Sequence, residues 1–335
     1  MIANDFRMMM LLDWLTNDCL LSVSACVPAS NDASFRRYFR VLVDDKSFIA
    51  MDAPPEKEDV ATFLRIGTLF KQASINTPNI FNVNFEDGFI LLEDFGTQWL
   101  LDVLHSQAIA TSFYQQALHA LLPQQTSPLL LNADLPLYSE AVLRQEMFLF
   151  EHWFMEQLLD INLPGEMWRS VQQCLVISAQ EQPVVCVHRD YHSRNLMVLP
   201  QKQLGILDFQ DAVLGPITYD MVSLLRDCYI DWPTEMVESW LNADYERLLA
   251  LKIVQCDFAQ FKYWFDLMGM QRHLKAVGIF ARLHLRDDKS QYLSAIPRTL
   301  GYLRQVSATY PFLAFFEQFL EEIVLPRCYS VIAGA

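Results

Sequence analysis

Positive charge is scarce in these 335 residues: 25 Lys and Arg stand against 40 Asp and Glu, for a formal charge of −15. A chain this acidic offers no basic face to a phosphate backbone, so small molecules are the expected partners and nucleic acid is not. The seven cysteines (19, 26, 174, 186, 228, 256 and 328) include no Cys-x-x-Cys pair. They read as free thiols of a reducing compartment, with no disulfide framework implied. No apolar run reaches the roughly 18 residues of a membrane helix. Met8-Met9-Met10-Leu11-Leu12, bracketed by Asp5 and Asp13, is too short for the apolar core of a signal peptide. A cytoplasmic protein without a membrane partner is therefore expected. Internal repeats and low-complexity linkers are also missing, while 52% hydrophobic content excludes a disordered chain and the length suffices for two lobes with their own cores.

What the chain does carry is concentrated between residues 184 and 215. Val184-Val185-Cys186-Val187 and Leu204-Gly205-Ile206-Leu207 are short apolar runs of the kind that form small strands. His188-Arg189-Asp190 follows the first, Asn195 comes after it, and Asp208-Phe209-Gln210-Asp211 follows the second. Transfer of a γ-phosphoryl group to a hydroxyl needs a carboxylate beside the acceptor proton and oxygen ligands for the Mg²⁺ that neutralises the phosphates. Asp190 suits the first task. Asn195, returning across a tight loop with a neutral carbonyl oxygen, and Asp208, arriving from another strand with a full charge, suit the second. A lone His-x-Asp is more often a local hydrogen-bonding cluster. HxDxxxxN followed within about twenty residues by apolar-apolar-Asp-Phe is far rarer and points to a phosphoryl-transfer site.

The remaining periodicities predict an α+β, bilobal protein-kinase-like fold: a small β-rich nucleotide-binding lobe over residues 1–95 and a large helical lobe over 96–335 with the catalytic loop and acceptor site. A helix is expected over 4–20 and strands over Ser22–Val27, Ser34–Val43, Ser47–Met51, Ile80–Val83 and Phe89–Leu92. In the second strand Phe35, Arg37, Phe39 and Val41 fall on one side and Arg36, Tyr38 and Arg40 on the other. Glu56–Ala73 has a helical period with acidic residues in its first turn. Helices are expected near 98–106, 109–121, 137–160, 166–180, 217–230, 234–248, 252–286, 290–308 and 312–324.

Over nearly its whole length the chain resembles the aminoglycoside-phosphotransferase branch of the protein-kinase-like fold, which includes choline, homoserine and antibiotic kinases. Ser34–Val41, Met51–Glu56, His188–Met197, Asp208–Ala212, Gly215–Asp220 and Gln271–Lys275 resemble a subgroup acting on amino sugars of the bacterial cell wall. The resemblance implies ATP- and Mg²⁺-dependent phosphorylation of the anomeric hydroxyl of N-acetylmuramate or N-acetylglucosamine in peptidoglycan recycling. It also implies Asp190 as catalytic base, Asn195 and Asp208 as metal ligands, and structural roles for His188 and for Asp220, whose carboxylate would hold the catalytic loop.

Kinases of this fold pair a strand Lys with a helix Glu to hold the α/β-phosphates. Here Phe48-Ile49-Ala50-Met51 has no Lys, Phe63 stands near the place of the Glu, and Glu58 is the nearest acid. Arg36 and Arg40 could each offer a guanidinium fork to phosphate, or could lie on a solvated strand face. Ser34, in the glycine-free loop Ala29–Ser34, and Glu93 complete the nucleotide-side candidates. Acceptor-side candidates are His192, Arg194, Arg226 and Arg272, with His273 beside them; an Arg would suit the lactyl carboxylate of N-acetylmuramate. Aromatic residues at Phe148, Phe150, Trp153, Phe154, Phe258, Phe261, Tyr263, Trp264 and Phe265 could stack on a sugar, although helical spacing favours the core. Competing readings keep the chemistry with an aminoglycoside, choline or hydroxy amino acid as acceptor, or make the chain a pseudokinase. Intact Asp190, Asn195 and Asp208 argue against the last.

Overall fold

In the computed structural model, which describes residues 5–29 and 35–334, Asp5 caps the first helix, α1 (Phe6–Asn17), by accepting from the Met8 amide at 3.1 Å. Met8, Leu11, Trp14 and Leu15 recur on one helical face. They are buried against Phe39, Val41, Ala50, Phe89 and Leu91 of an antiparallel sheet. Its strands are β1 (Ala25–Pro28), β2 (Arg37–Val43), β3 (Lys46–Asp52), β4 (Ile80–Asn84) and β5 (Phe89–Glu93), in the order β1-β2-β3-β5-β4. The alternation read from β2 has a physical outcome: Phe39 and Val41 are buried while Leu42 is exposed. Arg37 shares their side, and its Nε donates to the fully buried carboxylate of Asp52 at 2.9 Å. Ser34, expected within this strand, lies outside the described residues.

Helix α2 (Val60–Gln72) starts four residues later than its period suggests, because Asp59 takes the cap position and accepts from Thr62 N at 3.2 Å. Glu58 thereby stays outside the helix. The inner face of α2 carries Phe63, Gly67 and Phe70, and the ring of Phe209 seats against it, with centroids 5.0 Å from Phe63 and 5.8 Å from Phe70. Gly67 keeps the seat close, since a Cβ there would lie 3.1 Å from Phe209 Cε2 and the ring would have to give slightly. These elements form one compact unit that runs to Trp99 and includes Leu196–Gln210. That later segment is a hairpin of Leu196–Val198 with Leu204–Ile206. Its outer bonds run to this unit, from Val198 N to Gln98 O and from Ile206 N to Asn76 O, both at 2.8 Å.

The second unit, Leu100–Asn195 with Asp211 onward, is mainly helical. Its axis is the helix Phe258–Asp287, capped by Asp257 and buried on every side along Phe261–Leu283. Such a helix needs close neighbours, and Gly278 supplies room for one: a Cβ there would sit 2.3 Å from the Leu149 carbonyl carbon. Phe150, Phe154, Phe261 and Phe265 are fully buried core residues, whereas Phe148 is half-exposed. The expected helix over 137–160 begins at Glu140 and winds into a π-helix over Phe150–Leu158. The one expected over 217–230 covers only Tyr219–Leu225.

Candidate active site

The strand Val184–Val187 pairs antiparallel with Val213–Pro216, Val187 opposite Val213, and its end delivers the chain into His188-Arg189-Asp190. That loop is held from beneath by Asp220. Its Oδ2 accepts from His188 N at 2.7 Å and from Gln124 Nε2 at 2.6 Å, and its Oδ1 accepts from Arg189 N at 3.0 Å. Arg189 takes φ +78°, a conformation that needs such a hold. Asp220 is almost wholly buried, which pushes its pKa up despite these donors. The His188 ring is also buried and meets Tyr191 edge-on.

A second carboxylate holds the other end of the loop. Asp227 Oδ2 accepts from Ser193 N at 2.9 Å and from Ser193 Oγ at 2.5 Å, and its Oδ1 accepts from Tyr229 N at 2.8 Å. Taking the Tyr229 amide turns the chain out of its helix after Leu225. Tyr229 then lies between two acceptor-side candidates, edge-on to His192 at 5.3 Å and 4.7 Å beneath the Arg194 guanidinium.

Asp190 itself is partly buried. Burial opposes its charge, but the positive field of Lys275, His192, Arg272 and Arg189 outweighs it and holds the pKa at about 2. Lys275 lies 3.0 Å from Glu146 Oε1, which also accepts from Arg189 Nη2 at 2.6 Å, so a buried ionic cluster underlies the loop. Asn195 is fixed by its own amide, whose Nδ2 donates to Asp190 O at 2.9 Å and so turns Oδ1 the other way.

Asp208 belongs to the first unit, one residue before the seated Phe209. It adopts φ +60°, and its Oδ1 accepts from Gln210 Nε2 at 2.8 Å. Arg36 lies in the same unit, with Nη2 on Glu58 Oε2 at 2.7 Å and Nη1 3.9 Å from Asp208 Oδ1. Arg40 is engaged elsewhere, by a two-pronged pair with Asp94 at 2.6 and 3.0 Å and a bond to Gly96 O at 2.6 Å. Glu93 lies at the end of β5, where its Oε2 accepts from Asn79 N at 3.0 Å.

Residues 25–251 match the model of the phosphotransferase enzyme family. The chain belongs to that family. Over 301 residues it is 43% identical to a Pseudomonas aeruginosa protein named N-acetylmuramate/N-acetylglucosamine kinase, covering 89% of this chain and 88% of that one. A Pseudomonas putida protein of the same name is 40% identical over 337 residues, covering 96% and 98%. A solved choline kinase of Streptococcus pneumoniae matches with a TM-score of 0.62 at 16% identity, over 90% of this chain and 100% of that one. The fold is thus protein-kinase-like, with its antiparallel sheet first and its helical part after it.

In this phosphotransferase the acceptor-side candidates do not share one setting. Arg272 is buried beside Asp190, with Nη1 3.8 Å from Cys228 Sγ. Arg226 instead donates to Asp266 Oδ1 at 2.6 Å and lines a cavity of about 700 Å³ with Trp232, Lys262 and Arg298, which none of Asp190, His192, Arg194 or Arg272 lines. Buried His273 bonds Arg226 O at 2.9 Å and stacks on Tyr302. Sequence reasoning missed Asp227, Glu146, Lys275 and Tyr229, because each acts through a partner distant in the chain. The Arg226-Asp227 pair directly after an apolar run was the available signal for Asp227.

Proposed function

We propose that this phosphotransferase is an ATP- and Mg²⁺-dependent sugar kinase that phosphorylates the anomeric hydroxyl of N-acetylmuramate and N-acetylglucosamine, in the recycling of cell-wall amino sugars. The observation that carries this reading is the 43% identity, over most of both chains, to a kinase named for those two sugars. The catalytic loop supports it. With a pKa of about 2, Asp190 is an anion at any working pH, so it is built to accept and orient the acceptor hydroxyl. In a loose transition state the proton leaves late, and alignment with the γ-phosphate matters more than basicity. An anomeric hydroxyl, more acidic than the other ring hydroxyls, suits so weak a base.

Asn195 and Asp208 are assigned to Mg²⁺. Asn195 carries a neutral amide oxygen and Asp208 a carboxylate whose side chain is 45% exposed, the kinds of donor that a hard cation prefers. The ion would neutralise charge on the transferring phosphates. His192 and Arg194 are assigned to the acceptor, with Tyr229 setting both. Arg272 is assigned to the field at Asp190 and Asp220 to holding the loop. Among the described residues no helix is long and apolar enough to cross a membrane, and a cytoplasmic location fits a kinase supplied with ATP.

The test is phosphorus-coupled NMR of the product made from ATP, Mg²⁺ and each free sugar. Phosphorus coupled to C1 is expected, with no reaction when the anomeric oxygen is blocked as a methyl glycoside. A 6-phosphate, or turnover of choline or an aminoglycoside in place of the sugars, would overturn the assignment.

A further inference from the structure

Arg272 and Lys275 stand three residues apart on the long helix Phe258–Asp287 and so share one of its faces. Both contribute to the field at Asp190. Their other commitments differ. Lys275 Nζ lies 3.0 Å from Glu146 Oε1 and donates to the Tyr219 hydroxyl at 3.2 Å. Arg189, a third cation of that field, is also taken by Glu146. The Arg272 side chain is buried, 5% exposed, yet it makes one hydrogen bond, from Nη1 to Cys228 Sγ at 3.8 Å. Thiol sulfur is a weak acceptor. No carboxylate among the described residues pairs with Arg272. Its Nε and Nη2 have no hydrogen-bond partner there, and neither atom is sealed from accessible space.

A guanidinium buried this far with N–H groups unpaired opposes folding until something completes it. The unfilled groups form one edge, since Nε–H and the neighbouring Nη2–H point in parallel, the geometry that holds a carboxylate by two bonds. The protein uses this edge elsewhere. Arg40 grips Asp94 through Nε and Nη2 at 2.6 and 3.0 Å, and Arg286 grips Asp287 in the same way at 2.8 and 2.9 Å. We propose that the Nε–Nη2 edge of Arg272 receives the lactyl carboxylate of N-acetylmuramate, which makes Arg272 the residue that tells this sugar from N-acetylglucosamine. This rests on the acceptor reading above and names the contact within it that sets the preference. The two sugars share every group but the lactyl ether at C3, whose carboxylate is the one charge on either. C3 belongs to the same small ring as the anomeric carbon presented to Asp190, so a cation beside Asp190 but not bonded to it stands where that carboxylate can be met. The guanidinium would also keep two anions, Asp190 and the substrate's carboxylate, from facing each other directly. The transferring phosphoryl group is the other anion near Asp190, and its charge is assigned to Mg²⁺.

The experiment measures initial rates of the full chain with N-acetylmuramate, its lactyl methyl ester and N-acetylglucosamine, each with ATP and Mg²⁺. In wild type the ester keeps the ring and loses the charge, so its kcat/KM is expected to lie about 10- to 100-fold below that of the acid, the worth of one or two hydrogen bonds to a charged group. In Arg272→Met the acid should lose a similar factor relative to N-acetylglucosamine, chiefly through KM, and acid and ester should then react within about threefold of each other. Changes that act through Asp190 fall on both sugars alike and cancel in the ratio. Arg272→Lys keeps the charge without the fork and should recover part of the preference. Acid and ester within about twofold of each other in wild type, a comparison that needs no variant to fold, would overturn the proposal. Equal losses for the two sugars in a folded Arg272→Met would overturn it as well, and would place Arg272 on the phosphoryl group or on Asp190 alone. Failure of both sugars to react would refute the acceptor reading and this assignment with it, whereas reaction of both without the expected ratios refutes the assignment only.

Discussion

Replacing Asp220 by Asn tests whether the catalytic loop is held or merely supported. The carboxylate serves three donors, His188 N and Gln124 Nε2 on Oδ2 and Arg189 N on Oδ1. An amide can present its carbonyl to one side only. The cheaper orientation keeps the two bonds at the Oδ2 position and sets NH₂ against the Arg189 N–H. One hydrogen bond to a charged acceptor is lost, about 1.5–3 kcal/mol, and two others lose charge assistance. Against this, burial already disfavours the Asp220 charge, so removing it returns part of the loss. A net destabilisation of about 1–3 kcal/mol is expected, visible as a melting temperature lower by a few degrees. The larger effect should be kinetic. Arg189 is held at φ +78°, and without its N–H bond that peptide relaxes and carries Asp190 with it. A displacement near 1 Å at a reacting group costs about 10²-fold. In a coupled assay of sugar phosphorylation, kcat should therefore fall about 100-fold, while Mg-ADP affinity stays within about threefold of wild type. A variant that melts earlier but keeps kcat within about fivefold would refute the reasoning, since Asp220 would then contribute stability without setting the loop.

Asp190→Asn should reduce kcat by at least about 100-fold with nucleotide binding intact, and retention of more than about a tenth of wild-type kcat in steady-state assays would remove its assigned role. Asp208→Ala should shift the Mg²⁺ dependence of activity further than Asn195→Ala, because a charged ligand is lost in one case and a neutral one in the other; superimposable Mg²⁺ titrations would count against both ligands. His273 gives a pH signature. Burial, reinforced by Arg272 and Arg226, pushes its pKa to about 3. Between about 6.5 and 3 the unfolded chain therefore binds a proton that the folded one does not. Its share of stability is full above pH 6.5 and falls as pH drops, by up to about 1.4 kcal/mol per unit. Urea denaturation of His273→Gln between pH 7 and 5 should show a flatter slope than wild type, and an identical slope would exclude this origin.

The parts legible in the sequence were those whose chemistry or period is local. HxDxxxxN and Asp208-Phe209 lie within one short stretch, and the faces of α1, α2 and β2 follow from spacings of three to four or of two. Less could be seen where a distant partner decides the outcome. Whether the helix after Tyr219 ran on to 230 or stopped at Leu225 depended on Asp227 finding Ser193 and Tyr229. The strands Leu196–Val198 and Val213–Pro216 are too short for alternation to register. Lys275 and Glu146 look in sequence like ordinary helix charges, and only the packing of the long helix brings them together beneath the loop. Arg36 and Glu58 were each visible, but their pairing was not, because the sequence period extended α2 back through Glu58, whereas the Asp59 cap starts the helix after it.

The seat of Phe209 between Phe63 and Phe70 also bears on its neighbour in the chain. Burying one such ring contributes about 2–3 kcal/mol, and because Asp208 is bonded directly to that ring's residue, the packing that holds the ring also anchors the backbone from which the carboxylate assigned to Mg²⁺ projects. Gly67 keeps the anchor tight: a methyl group there would lie 3.1 Å from the ring, which would have to give way slightly and shift the point from which Asp208 starts.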